Sequence, residues 1–189
     1  LYKEKHHYYY LENKLEYLNS QNEWYFDNTS KYLYVWLPNN SLPTGENIRA
    51  KVQSYSLNLK SDNITLSNIN FFSTTVKSSG KDGISIDNCN FLYPSCYAHM
   101  LKQINYGSTF NPQQNETFIS QTYMSNCTNC AIKNCVFKYT DGSVLEVGGT
   151  GNTLNNNYFS YIDKTVCNLS SVMTAIRYNG SNHTIKYNT

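Results

Sequence analysis

Apolar and polar positions alternate along most of this chain, and one alternating phrase of nine residues returns. It reads NITLSNINF from Asn63, GISIDNCNF from Gly83, NCAIKNCVF from Asn129 and GNTLNNNYF from Gly151, and NHTIKYNT opens it again at Asn182. A period of two marks strands rather than helices. Aligned on each other, the phrases place Leu66, Ile86, Ile132, Leu154 and Ile185 in one column. Asn68, Asn88, Asn134 and Asn156 form a second column, and Phe71, Phe91, Phe137 and Phe159 a third. The starts are 20, 46, 22 and 31 residues apart, a basic period of about two dozen with two insertions. A unit this short cannot bury its own apolar face, so it must stack on its neighbours. The pattern predicts an all-β chain, a right-handed parallel β-helix of about five coils. Equivalent residues of successive coils then lie about 4.8 Å apart. The aliphatic column fills the interior, the Phe rings stack, and the Asn amides pair into a corner ladder.

A second strand precedes each phrase in YSLNLKSD, QTYMSNCT, SVLEVGGT and TAIRYNGS. Counting back from the phrase points Leu57, Tyr123, Leu145 and Ile176 inward, and Asn58, Met124, Glu146 and Arg177 outward. Residues 55–189 are thus the coils, with insertions at 92–124 and 160–173 leaving from the same corner. Loops on a rigid scaffold are where function usually sits.

Residues 1–54 form a leader. The paired His6 and His7 have no carboxylate or Cys at ligand spacing and read as a packed or solvated segment. Leu11, Leu15 and Leu18 follow the i, i+4, i+7 rule of a short amphipathic helix, with Glu12 and Glu16 toward water. EWYFD and YLYVWLP, around a four-residue polar turn, predict a β-hairpin. The stretch LENKLEYLNSQNEWYFDNTSKYLYVWLP (11–38) resembles the leader of secreted right-handed parallel β-helix proteins, with Asn22 where that family has Gly. The resemblance runs on through the coils. It implies the pectate-lyase-like fold, whose members include polysaccharide lyases, glycoside hydrolases and non-catalytic proteins.

Composition narrows the partners. The net charge is +2, only Arg49 and Arg177 are arginines, and no basic stripe occurs, so nucleic acid is not an expected partner. No apolar run approaches 18 residues, so no helical membrane span is expected. The six Cys and the N-x-S/T acceptors at Asn28, Asn39, Asn63, Asn115, Asn126, Asn168, Asn179 and Asn182 predict an extracellular or cell-surface glycoprotein. Asn126 and Asn179 share one corner column and Asn63 and Asn182 another, so their glycans would coat one side. The alternative is a bacterial or cytosolic chain whose Asn richness makes acceptors by accident. Cys89 and Cys135 occupy the same slot of consecutive coils and predict a disulfide; Cys96 and Cys167 would tie the two insertions together. The C-x-x-C of Cys127 and Cys130 lacks the second pair a zinc site needs, and reads as a disulfide or packed thiols.

Candidate chemistry is sparse. Asp82 and Asp141 each precede Gly, as turn residues do. Asp62 and Asp82 fall one coil apart and are the best pair for acid/base work or for Ca²⁺, the only cofactor with any support. Glu146 and Arg177 share an outward column and predict an ion pair. The expected function is a structural or adhesive extracellular module without catalysis. The alternatives are a polysaccharide lyase or glycosidase, and a carbohydrate-binding module using exposed Tyr. The last phrase halts at Thr189 before a Phe position, so its open end is expected to meet further coils or a second copy head to tail.

Overall fold

The computed structural model describes residues 14–45, 48–51, 53–95, 121–140, 143–162 and 175–189. The chain divides into two compact units, Leu1–Ala50 and Lys51–Thr189.

The first unit contains the predicted hairpin. Strand β1 (Trp24–Phe26) pairs antiparallel with β2 (Leu33–Val35), Tyr25 facing Tyr34. Asp27 closes the turn by accepting the Thr29 N–H at 2.8 Å and the Ser30 hydroxyl at 2.7 Å. Those donors, the Ser30 hydroxyl above all, hold its carboxyl below the ordinary value. Asn22 has φ 72°, a left-handed conformation that Asn tolerates better than other residues with a Cβ. The predicted amphipathic helix is corrected. Its described part is a single 3-10 turn, Leu15–Tyr17, with no buried residue, and Leu11 and Glu12 lie outside the described residues. Two turns with a single apolar stripe are too short to offset the cost of nucleation. A second 3-10 turn spans Pro38–Asn40.

The second unit is built of short parallel strands. In chain order they are β3 (Tyr55–Leu59), β4 (Thr65–Ser67), β5 (Asn70–Phe72), β6 (Thr75–Ser79), β7 (Ser85–Asp87), β8 (Asn90–Leu92) and β9 (Thr122–Thr128). They continue as β10 (Ala131–Lys133), β11 (Val136–Lys138), β12 (Leu145–Thr150), β13 (Thr153–Asn155), β14 (Tyr158–Ser160), β15 (Ile176–Ser181) and β16 (Thr184–Lys186). Every third strand pairs, giving three parallel sheets ordered β3-β6-β9-β12-β15, β4-β7-β10-β13-β16 and β5-β8-β11-β14. This is a stack of parallel sheets of the β-helix-like solenoid kind. The phrase supplies β4 and β5 and their equivalents. Leu66, Ile86, Ile132, Leu154 and Ile185 stand in register, as do Phe71, Phe91, Phe137 and Phe159. The Phe rings lie nearly parallel, 4.6, 4.7 and 5.1 Å between successive centroids.

Turning the chain between sheets requires left-handed backbone, and the phrase encodes where. Asn63, Gly83, Asn129, Gly151 and Asn182, its first residues, all have positive φ, between 52° and 71°. Asn and Gly alternate here for a packing reason. A Cβ on Gly83 would collide with the Asn63 amide oxygen, and one on Gly151 would lie 2.7 Å from that of Asn129. Each Asn amide fills the space that the next turn's glycine leaves. The predicted ladder forms the second corner, at φ 50° to 58°. Asn88 donates to Asn68 at 2.6 Å and Asn156 to Asn134 at 2.8 Å, but Asn134 donates to Asp87 at 2.7 Å, so the ladder is interrupted between Asn88 and Asn134. These residues are exposed; the left-handed backbone, with the amide pairing added to it, accounts for the asparagines.

The predicted Cys89–Cys135 disulfide is not formed. Both are buried free thiols, as are Cys127 and Cys130. In-register parallel strands project equivalent side chains side by side at about 4.8 Å, wider than the Cβ separation of about 3.8 Å that a disulfide needs. The thiols instead bond the backbone. Cys135 Sγ donates to Lys133 O at 3.1 Å and Ile86 O at 3.7 Å, and Cys89 Sγ donates to Asp87 O and Leu66 O. In the next turns the same slot holds Asn157, which donates to Ile132 O at 2.9 Å, and Asn188, which donates to Lys186 O and Leu154 O. Thiol and amide thus meet the same carbonyls. Cys96 and Cys167 lie outside the described residues.

Burial pushes the Cys135 thiol up to about 12. Below pH 9 both folded and unfolded chains carry a neutral thiol. Between pH 9 and about 12 only the unfolded chain ionises, so stability falls across that window. Cys135→Ser, which keeps a donor without the titration, is expected to flatten this alkaline loss in denaturation curves measured at several pH values. Alkylation of the native protein is expected to leave Cys89 and Cys135 unmodified until it is unfolded.

Candidate functional site

The outer face of the β3-β6-β9-β12-β15 sheet gathers the most chemistry. Strand register places Asn58, Lys77, Tyr123, Glu146 and Arg177 in one column, one residue per turn. This corrects the counting in two ways. Tyr123 stands outward beside Glu146, whereas Met124 is wholly buried beside Val147. Strand β9 carries an extra residue at a bulge, where the register shifts between Val147 and Gly149. Counting back from the phrase crosses that bulge and lands one residue off. Lys77 was missed because TVKSS, the strand before GISIDNCNF, was not aligned with the others.

Glu146 is the anchor of the column. Its Oε2 accepts from Gln121 Nε2 at 2.7 Å and lies 3.9 Å from Arg177 Nη1, the expected ion pair. The Arg177 side chain is 55% exposed, so the pair contributes about 0–1 kcal/mol and serves chiefly to orient the carboxylate. Lys77 Nζ sits 4.8 Å from the centre of the Tyr55 ring. Burial, and then Tyr123 and Glu146, push the Tyr55 phenol above its ordinary value, which keeps it a hydrogen-bond donor. The face therefore offers a carboxylate, two cations and two phenols on strands held by parallel pairing.

The other candidates sit elsewhere. Asp62 Oδ1 accepts the Asp82 N–H at 3.0 Å, and Asp82 Oδ1 accepts from Asn129 Nδ2 at 3.3 Å, so both carboxylates brace a corner. Among the described residues no group of three His, Cys, Asp or Glu side chains is placed to hold a metal ion. Asp141 lies outside the described residues, as do Asn115 and Asn168. Asn28, Asn39, Asn63, Asn126, Asn179 and Asn182 are exposed. The amide oxygens of Asn63 and Asn179 nevertheless pack onto Gly83 and Gly148 of neighbouring turns. Cys127 and Cys130 share a hydrogen bond inside the core, so the pair yields its first proton more readily than an ordinary thiol and holds the second. Among the described residues no helix is long and apolar enough to cross a membrane.

Comparison with known proteins finds no matching family model, no matching curated protein and no matching solved structure.

Proposed function

We propose that this chain is a right-handed parallel β-helix module of an extracellular, N-glycosylated structural or adhesive protein. It holds an extended polysaccharide along the column Asn58, Lys77, Tyr123, Glu146 and Arg177. The observation that carries this reading is the column itself: one polar, charged or aromatic group per turn in unbroken register. Its rise of about 4.8 Å per turn is close to the length of one sugar residue in an extended chain. Phenols and carboxylates on a rigid face can hydrogen-bond successive hydroxyls without losing much side-chain freedom. The leader motif of residues 11–38 supports the pectate-lyase-like form of the solenoid, and the acceptor sites support the extracellular setting.

A second reading, a polysaccharide lyase or glycosidase, is favoured by the placement of Glu146 between Tyr123 and Arg177. Glycoside hydrolysis ordinarily uses two carboxylates about 5–10 Å apart, and this column holds one. Adhesion is therefore the first reading.

The test is binding of neutral and anionic polysaccharides to the purified protein, with product analysis of the same mixtures. Tyr123→Ala and Lys77→Ala are each expected to weaken binding by about tenfold, without new reducing or unsaturated ends. Turnover that Glu146→Gln abolishes would replace adhesion by catalysis. Binding unchanged in both variants would remove the column from the function.

A further inference from the structure

A third corner carries a feature that the function above does not use. Tyr93, Tyr139 and Tyr161 follow β8, β11 and β14, and all three have left-handed backbone, φ 54°, 61° and 55°. That conformation aims their side chains out of the solenoid in one column. Their rings stack, with centroids 5.1 Å apart and 21° between planes for Tyr93 and Tyr139, and 4.9 Å and 18° for Tyr139 and Tyr161. Tyr93 is 46% and Tyr161 62% exposed, and Phe72 packs its edge against Tyr93 from the preceding turn.

Stacking covers the faces of the middle ring, so the column offers solvent its edges, where the phenol and its ortho carbons lie. Two phenols on stacked rings, with centroids 4.9 to 5.1 Å apart, are an arranged pair for radical coupling. We propose that Tyr139 is an oxidative cross-linking site, joining to Tyr161 or Tyr93 in a dityrosine that staples consecutive turns of one chain. A peroxidase-type oxidant removes one electron and one proton from each phenol. The two phenoxyl radicals form one carbon–carbon bond between ortho positions, and each ring regains aromaticity by moving its ortho hydrogen to oxygen. Hydrogen peroxide takes up the two electrons and two protons and leaves as two waters. The second ring is already beside the first, so coupling is effectively unimolecular and outruns encounter between dilute chains.

Native protein treated with a heme peroxidase and hydrogen peroxide is expected to gain dityrosine fluorescence while remaining monomeric on denaturing gels. Digestion should yield a linked peptide pair containing Tyr139 and either Tyr161 or Tyr93, lighter by two hydrogens than its parts. Tyr139→Phe preserves the stacked ring, and should lower the fluorescence about tenfold because both couplings share that residue. Oxidation in urea should lose the preference for these peptides. Yield unchanged in Tyr139→Phe, coupling confined to Tyr25 and Tyr34 of the hairpin, covalent dimers as the main product, or the same peptides formed in urea would each overturn the proposal.

Discussion

Phe137→Ala is expected to lower the free energy of unfolding by about 3–5 kcal/mol. Phe137 is fully buried and stacked on both sides, on Phe91 at 4.7 Å and on Phe159 at 5.1 Å. Truncation removes its own buried surface and also strips one face from each neighbouring ring. The gap cannot collapse easily, because its floor and ceiling are strands fixed in register by β8 and β14. Phe159→Ala should cost less, since Phe159 is only partly buried. Denaturant unfolding measures both, and equal losses at the two positions would contradict a continuous interior stack.

Gly149→Ala is expected to cost about 3 kcal/mol or more, from left-handed strain and overpacking together. Gly149 has φ +116°, and a Cβ there would strike the Cys127 carbonyl oxygen on the neighbouring turn. That obstacle is backbone, which cannot swing aside. Two other glycines calibrate the effect. Gly80 has φ +61° with nothing within 4 Å of a Cβ, so Gly80→Ala should cost about 1 kcal/mol from strain alone. Gly45 has open space and no positive φ, and Gly45→Ala should be near neutral. The graded order Gly45, Gly80, Gly149 in urea unfolding is the expected result.

The fold was legible wherever a side chain repeats once per turn. Period-two alternation named the strands, and the aligned Leu/Ile and Phe columns named the sheet partners across insertions of any length. What failed was whatever depends on counting through an irregularity. One extra residue in β9 exchanged Tyr123 with Met124, and with them the outward column on which the proposed function rests. The corner of Asn68, Asn88, Asn134 and Asn156 was visible as an asparagine column but was read only as an amide ladder, because left-handed backbone and amide pairing call for the same residue. Cys89 and Cys135 were correctly placed as neighbours. Their thiol state follows from the direction of their Cα–Cβ bonds, which spacing alone does not carry. Lys77 lies on TVKSS, a strand left out of the alignment, and Tyr55 stands on the far side of a register shift between Tyr55 and Leu57. Tyr93, Tyr139 and Tyr161, two residues after Phe91, Phe137 and Phe159, form a further column, with Ser73 at the equivalent place after Phe71, and could have been found by extending the alignment.

Each phrase, with the strand before it, makes one turn of the stack. Nuclear Overhauser contacts between backbone protons of neighbouring strands test this most directly, because they fix register without reference to any side-chain reading. The expected contacts join Ile86 to Ile132 and Ile132 to Leu154, as the parallel pairing of β7, β10 and β13 requires. They should be accompanied by slow exchange of the Ala131 and Thr153 amides, which donate to Ile84 O and Cys130 O of the turns below. Antiparallel contacts between neighbouring phrases, or Ile132 contacts to Leu154 without any to Ile86, would contradict the stacked arrangement.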